Sequence, residues 1–127
     1  MKLSIVTTSF RPYEWYSGIS NAVFLLAKGL NEQYDTKINI FSPQSQGLPK
    51  KENHQNFSTK RFSTINFSKL HGYFVSKQAF RMVQKEEADI IHSFHYGYFP
   101  ATIGFLEAKE KQIPHVFTTA YHPPGSI

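Results

Sequence analysis

The strongest constraint on the fold of this chain is an alternation of periods. Short apolar runs of strand length are separated by longer segments whose apolar residues recur at helical spacing. Leu3-Ser4-Ile5-Val6 is such a run; it ends in Thr7-Thr8-Ser9 and reads as a buried, central strand. Arg11 to Gly18 comes next, a loop by its Pro and Gly. From Ile19 the period changes. Ile19, Val23, Leu26, Ala27 and Leu30 share a helical face, with Ser17 or Ser20 available as N-cap and an end expected near Asn31–Tyr34.

Lys37-Ile38-Asn39-Ile40-Phe41 alternates and is stopped by Pro43, so it reads as the second strand. Gln44 to Asn56 is polar and reads as a loop, and Phe57 to Ile65 as a third strand. Leu70, Tyr73, Phe80 and Val83 fall on one helical face, with Lys69, Lys77, Arg81 and Lys85 as its basic remainder. Asp89-Ile90-Ile91-His92 is another buried strand. Pro100 suits the first residue of a helix carrying Phe99, Ile103 and Leu106. Ile113 to Thr119 is the last strand, and a loop-like tail runs from Tyr121 to Ile127.

The order β-α-β-(β)-α-β-α-β predicts an α/β fold: a mostly parallel sheet with helices on both faces. Ligands of such folds bind beyond the carboxyl ends of the strands, where strand order reverses. Three segments should meet there: the loop after the first strand, the segment after His92, and the segment after Thr119.

A length of 127 residues suits one domain with a real core. The absence of Cys excludes disulfides, thiolate zinc sites and a cysteine nucleophile. Charged residues make up 18%, which argues against disorder, and no apolar run approaches the roughly 18 residues that span a membrane. The N-terminus reads as a strand, not as a signal peptide. A net charge of +5 fits a solvated surface or an anionic partner; nucleic acid would call for a higher charge density and a recognisable module.

In the first loop, Gly18 stands where a helix N-terminus offers unpaired N–H groups to an anion. There is no GxGxxG and no Walker lysine, so a plain connection stands as the alternative. Tyr13, Trp15 and Tyr16 suit stacking on sugar rings, or a hydrophobic lid. In the second loop, His92 and His95 lack a carboxylate at a recognisable spacing, so no metal is expected there. They read, with Tyr96, as hydrogen-bonding groups for a ligand or as caps of a strand end. The third loop offers Thr118, Thr119, Tyr121 and His122. The basic segment Lys69–Lys85, with Tyr73 and Phe74, reads as a solvated face or as an interfacial helix for anionic lipid.

Taken together, these loops resemble a known family. Lys2-Leu3-Ser4-Ile5-Val6-Thr7-Thr8-Ser9-Phe10-Arg11-Pro12, Ser17-Gly18-Ile19, Leu25-Leu26-Ala27-Lys28-Gly29-Leu30, Asp89-Ile90-Ile91-His92-Ser93 and Ile113-Pro114-His115-Val116-Phe117-Thr118 carry the likeness. The chain resembles the N-terminal, acceptor-side domain of GT-B glycosyltransferases of the retaining group called family 4 or group 1. The resemblance implies a Rossmann-like three-layer α/β/α domain, one half of a GT-B architecture, over residues 1–127, with the C-terminal nucleotide-sugar domain absent. It implies transfer of a sugar from a nucleotide sugar to an acceptor hydroxyl with retention, without metal or cofactor, the acceptor being a sugar or lipid-linked. It places Ser17 and Gly18 at the donor diphosphate and Tyr13, Trp15, Tyr16, His92, His95, Tyr96 and Thr119 around the acceptor, with His122 catalytic. A cytoplasmic protein, peripheral to the membrane through the basic helix, is the implied setting.

Two positions depart from the family pattern. Ser17-Gly18 replaces the usual Gly-Gly pair. Ala120 stands where the first histidine of a Thr-Pro-His-Tyr-His context is expected, leaving His122 to match the second. A fragment of this kind should be inactive alone. The competing reading is a non-catalytic sugar- or protein-binding module on the same fold.

Overall fold

The computed structural model describes residues 1–12, 18–66, 74–95 and 99–119. The elements run β1 (Lys2–Val6), α1 (Gly18–Tyr34), β2 (Lys37–Pro43), β3 (Lys51–Asn53), β4 (Ser58–Phe62), β5 (Ile65–Asn66), β6 (Phe74–Val75), α2 (Lys77–Lys85), β7 (Ile90–Phe94), α3 (Phe99–Lys111) and β8 (His115–Thr118). A six-stranded sheet has the order β3-β4-β2-β1-β7-β8. Its pairings β4-β2, β2-β1, β1-β7 and β7-β8 are parallel, and β3 joins β4 antiparallel.

Each face of the sheet owns a core. On one side Leu3, Ile5, Ile38 and Ile40 pack with Phe94, Phe10 and Phe57 against Val23 and Ala27 of α1. On the other, Val6, Phe41, Phe62 and Ile91 meet Ala79 and Val83 of α2 and Ile103 and Ala108 of α3. The domain is therefore the three-layer α/β/α, mostly parallel arrangement that the alternation predicts. The apolar face read on α1 is the face that packs, since Val23 and Ala27 are buried and Ile19, Leu26 and Leu30 lie against the core.

Local chemistry sets the element ends. The helix α1 stops where Asp35 takes a positive φ of 52°, and Thr36 N–H bonds back to the Leu30 carbonyl at 3.4 Å. That is the left-handed C-terminal turn that Asp and Asn tolerate. At the start of α2, Ser76 accepts from Ala79 N–H at 3.0 Å and donates to the Ser63 carbonyl, tying the helix to the end of β4.

Four expectations need correction. The helix expected on the face of Leu70, Tyr73, Phe80 and Val83 begins only at Lys77, because Phe74–Val75 pairs with Ile65–Asn66 as a hairpin and Ser76 caps the helix after it. Leu70, Tyr73 and Lys69 lie outside the described residues. Gln44–Asn56 is not all loop: it contains β3, whose Glu52 pairs with the buried Arg61 of β4. Ser20 is not an N-cap. It lies inside α1 and holds the preceding loop, accepting from Arg11 N–H at 2.9 Å and donating to the Arg11 carbonyl at 3.3 Å. Finally, α3 opens at Phe99, one residue ahead of Pro100.

Candidate functional site

The parallel strands leave β1 in two directions, through β2 toward β4 and through β7 toward β8. The reversal of strand order thus falls between β1 and β7, where a crevice opens at the carboxyl edge. Thr7 and Thr8 follow the end of β1 at Val6, and His95 follows the end of β7 at Phe94.

His95 joins these strand ends. Its ring Nδ1 lies 3.0 Å from Thr8 Oγ1 across the crevice. Its backbone N–H donates to the Thr118 carbonyl at 3.0 Å, extending the β7-β8 ladder by one residue. Its φ is 77°, a conformation that β-carbon sterics disfavour for any residue but Gly. Such a backbone persists only where its surroundings fix it, and it is a common mark of a working site.

His92 is half-buried on the α1 side of β7, with Nε2 2.8 Å from Thr118 Oγ1. Its ring stacks on Phe94 at 4.6 Å and 19°. Burial first, then the nearby His115, hold its pKa below the ordinary histidine value, so the neutral ring is favoured. A neutral imidazole both donates and accepts, which suits it to hydroxyl groups.

The opposite side of β7 is mechanical. Ser93 Oγ donates to the Pro100 carbonyl at 3.0 Å and lies 3.0 Å from His115 Nε2. Gly104 of α3 sits against both: a Cβ there would come within 1.8 Å of Ser93 Oγ and 2.7 Å of His115 Nε2. The helix that follows the β7 loop is therefore seated on the sheet by a glycine contact.

On the β2 side of the crevice, a cleft of about 120 Å³ is walled by Thr8, Ser9, Phe10, Arg11, Pro43, Gln44 and Ser45. Arg11 Nη2 donates to Ser45 Oγ at 2.7 Å, bridging the ends of β1 and β2. Gly18 is exposed at the N-terminus of the 17-residue α1, with no atom within 4 Å of a would-be Cβ. A helix N-terminus carries unpaired N–H groups and the positive end of the helix dipole, which suits an anion.

Of the site residues expected from the sequence, Gly18, His92, His95 and Thr119 are described. Gly18, His95 and Thr119 lie at this carboxyl edge, but His92, expected in the loop, stands inside β7, paired with Ile5 and Val116, because the strand runs on to Phe94. Thr119 is exposed just past β8. Tyr13, Trp15, Tyr16, Ser17, Tyr96 and His122, with Ala120, lie outside the described residues. Thr8 was not among the expected site residues, and no local signal marks it. Its partner is 87 positions away, and only the sheet order brings the two together.

Among the described residues no group of three His, Cys, Asp or Glu could hold a metal ion. His92 and His95 turn to different partners, Thr118 and Thr8. No described helix is long and apolar enough to cross a membrane. The apolar side of α2 is spent on the core through Ala79 and Val83, which leaves its exposed Lys77, Arg81 and Lys85 as a basic outer face.

These features define a Rossmann-like three-layer α/β/α domain with its switch point between β1 and β7. Among solved structures, sucrose-phosphate synthase from Thermosynechococcus elongatus superposes on it with a TM-score of 0.60 at 15% identity, over 98% of this chain and 33% of that one. The chain thus spans a third of that protein's length, and at this identity the likeness is one of fold. It is consistent with a Rossmann-like half of a GT-B fold. No protein-family model and no curated protein matches the chain.

Proposed function

We propose that this chain is the acceptor-side half of a retaining glycosyltransferase of the family 4, group 1 type. It would work with a second half that holds a nucleotide sugar. The observation that carries the reading is His95, held with positive φ across the switch-point crevice between Thr8 and the Thr118 carbonyl.

In this reading an acceptor hydroxyl attacks the anomeric carbon on the face from which the diphosphate departs, through an oxocarbenium-like transition state; its proton passes to the leaving diphosphate oxygen, on which negative charge grows. Fixed N–H donors stabilise that charge, commonly a large part of catalysis. Gly18, with Ser17 before it, supplies donors from the start of α1. His92 and His95, with Thr119, line the acceptor side and hydrogen-bond its hydroxyls. Tyr13, Trp15, Tyr16 and Tyr96 are assigned to stacking on the acceptor, and His122 is assigned the catalytic role. No metal or cofactor enters the scheme.

The test has two arms. Purified chain 1–127 incubated with nucleotide sugars should release no sugar, because the donor half is elsewhere; release would refute the two-domain reading. The reading frame beyond residue 127 should encode a second domain with paired glutamates for the donor. An unrelated sequence there would favour a non-catalytic binding module.

A further inference from the structure

A second cavity, of about 670 Å³, opens where β4, the β5-β6 hairpin and the starts of α2 and α3 meet. That volume is within the roughly 300–1,000 Å³ of small-molecule sites. All these boundaries belong to the carboxyl edge: β4 ends there at Phe62, and α2 and α3 begin there. The cavity flanks the switch-point crevice on the α2-α3 side of the sheet.

Its walls are of two kinds. Ile65, Val75, Phe80 and Phe99 are apolar, with Phe80 and Phe99 edge-to-face at 5.4 Å. Ile65 is 67% exposed and Val75 38%, so the apolar rim is open to solvent. Lys77 and Arg81 supply the charge, and neither makes an ion pair with a described acidic residue. They stand four residues apart on α2, on one face, where like charges destabilise a helix unless an anion lies between them. The arginine fork and the lysine point charge together fit a phosphoryl group, and the apolar walls fit a body attached to it.

We propose that this cavity binds a phosphorylated, partly apolar molecule, with its phosphoryl group at Lys77 and Arg81 and its body against Phe80 and Phe99. The inference rests on the reading of the chain as an acceptor-side domain, and it names the acceptor's chemical class. Bare phosphate would leave the apolar walls wet, and an uncharged alcohol would leave the two cations unpaired.

The test is an amide chemical-shift titration of the 127-residue chain with hexyl phosphate. Shifts should centre on Thr64, Val75, Lys77 and Arg81. Inorganic phosphate, hexanol and hexanoate should each bind at least roughly tenfold more weakly. Lys77→Gln with Arg81→Gln should weaken hexyl phosphate by roughly tenfold or more while leaving the rest of the spectrum in place. Should that pair disturb folding, Val75→Glu, at the exposed rim, should weaken it in the same direction. A parallel arm uses phosphatidylcholine vesicles carrying phosphatidic acid. Binding of both probes supports a lipid-borne phosphoryl group, and binding of hexyl phosphate alone supports a soluble phosphorylated acceptor. Hexanol, hexanoate or bare phosphate matching hexyl phosphate, or vesicle binding without hexyl phosphate binding, overturns the proposal. A nucleotide response at Gly18 that persists when the cavity is silent would sink this inference and leave the functional reading standing.

Discussion

Replacing Gly104 by Ala sets two physical effects against each other. In an exposed helix the change should stabilise, by about 1 kcal/mol, because Gly is a poor helix former. Here the added methyl would sit 1.8 Å from Ser93 Oγ and 2.7 Å from His115 Nε2. Ser93 is fully buried and can yield only by turning its hydroxyl away from the Pro100 carbonyl, forfeiting a bond worth about 1 kcal/mol. His115, or α3 as a whole, must then shift as well, and overpacking of this kind costs about 1–3 kcal/mol. The steric terms win, and the net expectation is a loss of about 1–3 kcal/mol. With a denaturant slope of about 2 kcal/mol per molar, the urea midpoint should fall by about 1 M. Ser93→Ala in the same chain removes the nearer clash and should restore part of the loss, which a double-mutant cycle would read as coupling. A Gly104→Ala chain as stable as the parent, or more stable, would refute the close seating of α3 on β7 and β8.

Other substitutions probe the remaining supports. Arg61→Met should cost about 3–5 kcal/mol in urea unfolding, since it leaves Glu52 only its 3.1 Å contact with His54 and removes the donor to the Pro49 carbonyl, a 2.8 Å bond. A loss under about 1 kcal/mol would show the pair to be dispensable. Thr8→Val should leave stability within about 1.5 kcal/mol and reduce transfer by the two-domain protein proposed above, because it removes the Thr8 contact to the His95 ring; unchanged turnover would remove that contact from the site. The histidines predict a pH dependence. The pKa of His92 and of His115 is depressed on folding, so between the folded value and the unfolded value of about 6.5 the unfolded chain binds more protons. Their stabilising contribution is full above about 6.5 and falls as pH drops toward the folded value. The chain with both His92→Gln and His115→Gln should show a flatter stability profile between about pH 5 and 7; an unchanged slope would contradict the assignment.

The layering was legible because burial writes itself into periodicity. Leu3–Val6 and Ile38–Phe41 read as buried strands, and the Ile19-to-Leu30 face read as a helix, and each packs as read. The features the residues hid depend on partners distant in sequence. The strand β3 is Lys-Glu-Asn, which no propensity favours; it forms on β4, with Arg61 pairing Glu52 and taking the Pro49 carbonyl. Helical spacing from Leu70 onward ran through a segment that Ser76 divides into a hairpin and a capped helix. At the site, the carboxyl edge and the presence of Gly18 and His95 on it followed from topology rules, whereas His92, read as the start of a loop, lies inside β7 between Ile5 and Val116. The Thr8-His95 pair and the positive φ of His95 did not, because neither leaves a trace in the residues beside them. The contact of Gly104 was equally silent, since an isolated helical glycine looks the same whether it touches a sheet or water.

The most direct test of the switch-point assignment is a map of backbone amide shifts as a nucleoside diphosphate sugar is added to the 127-residue chain. The account predicts weak binding, about millimolar, with shifts confined to Gly18, Thr8, His95 and their neighbours at the carboxyl edge between β1 and β7. Shifts clustered instead at the amino edge, around Lys2, Thr36 and Asp89, would contradict it.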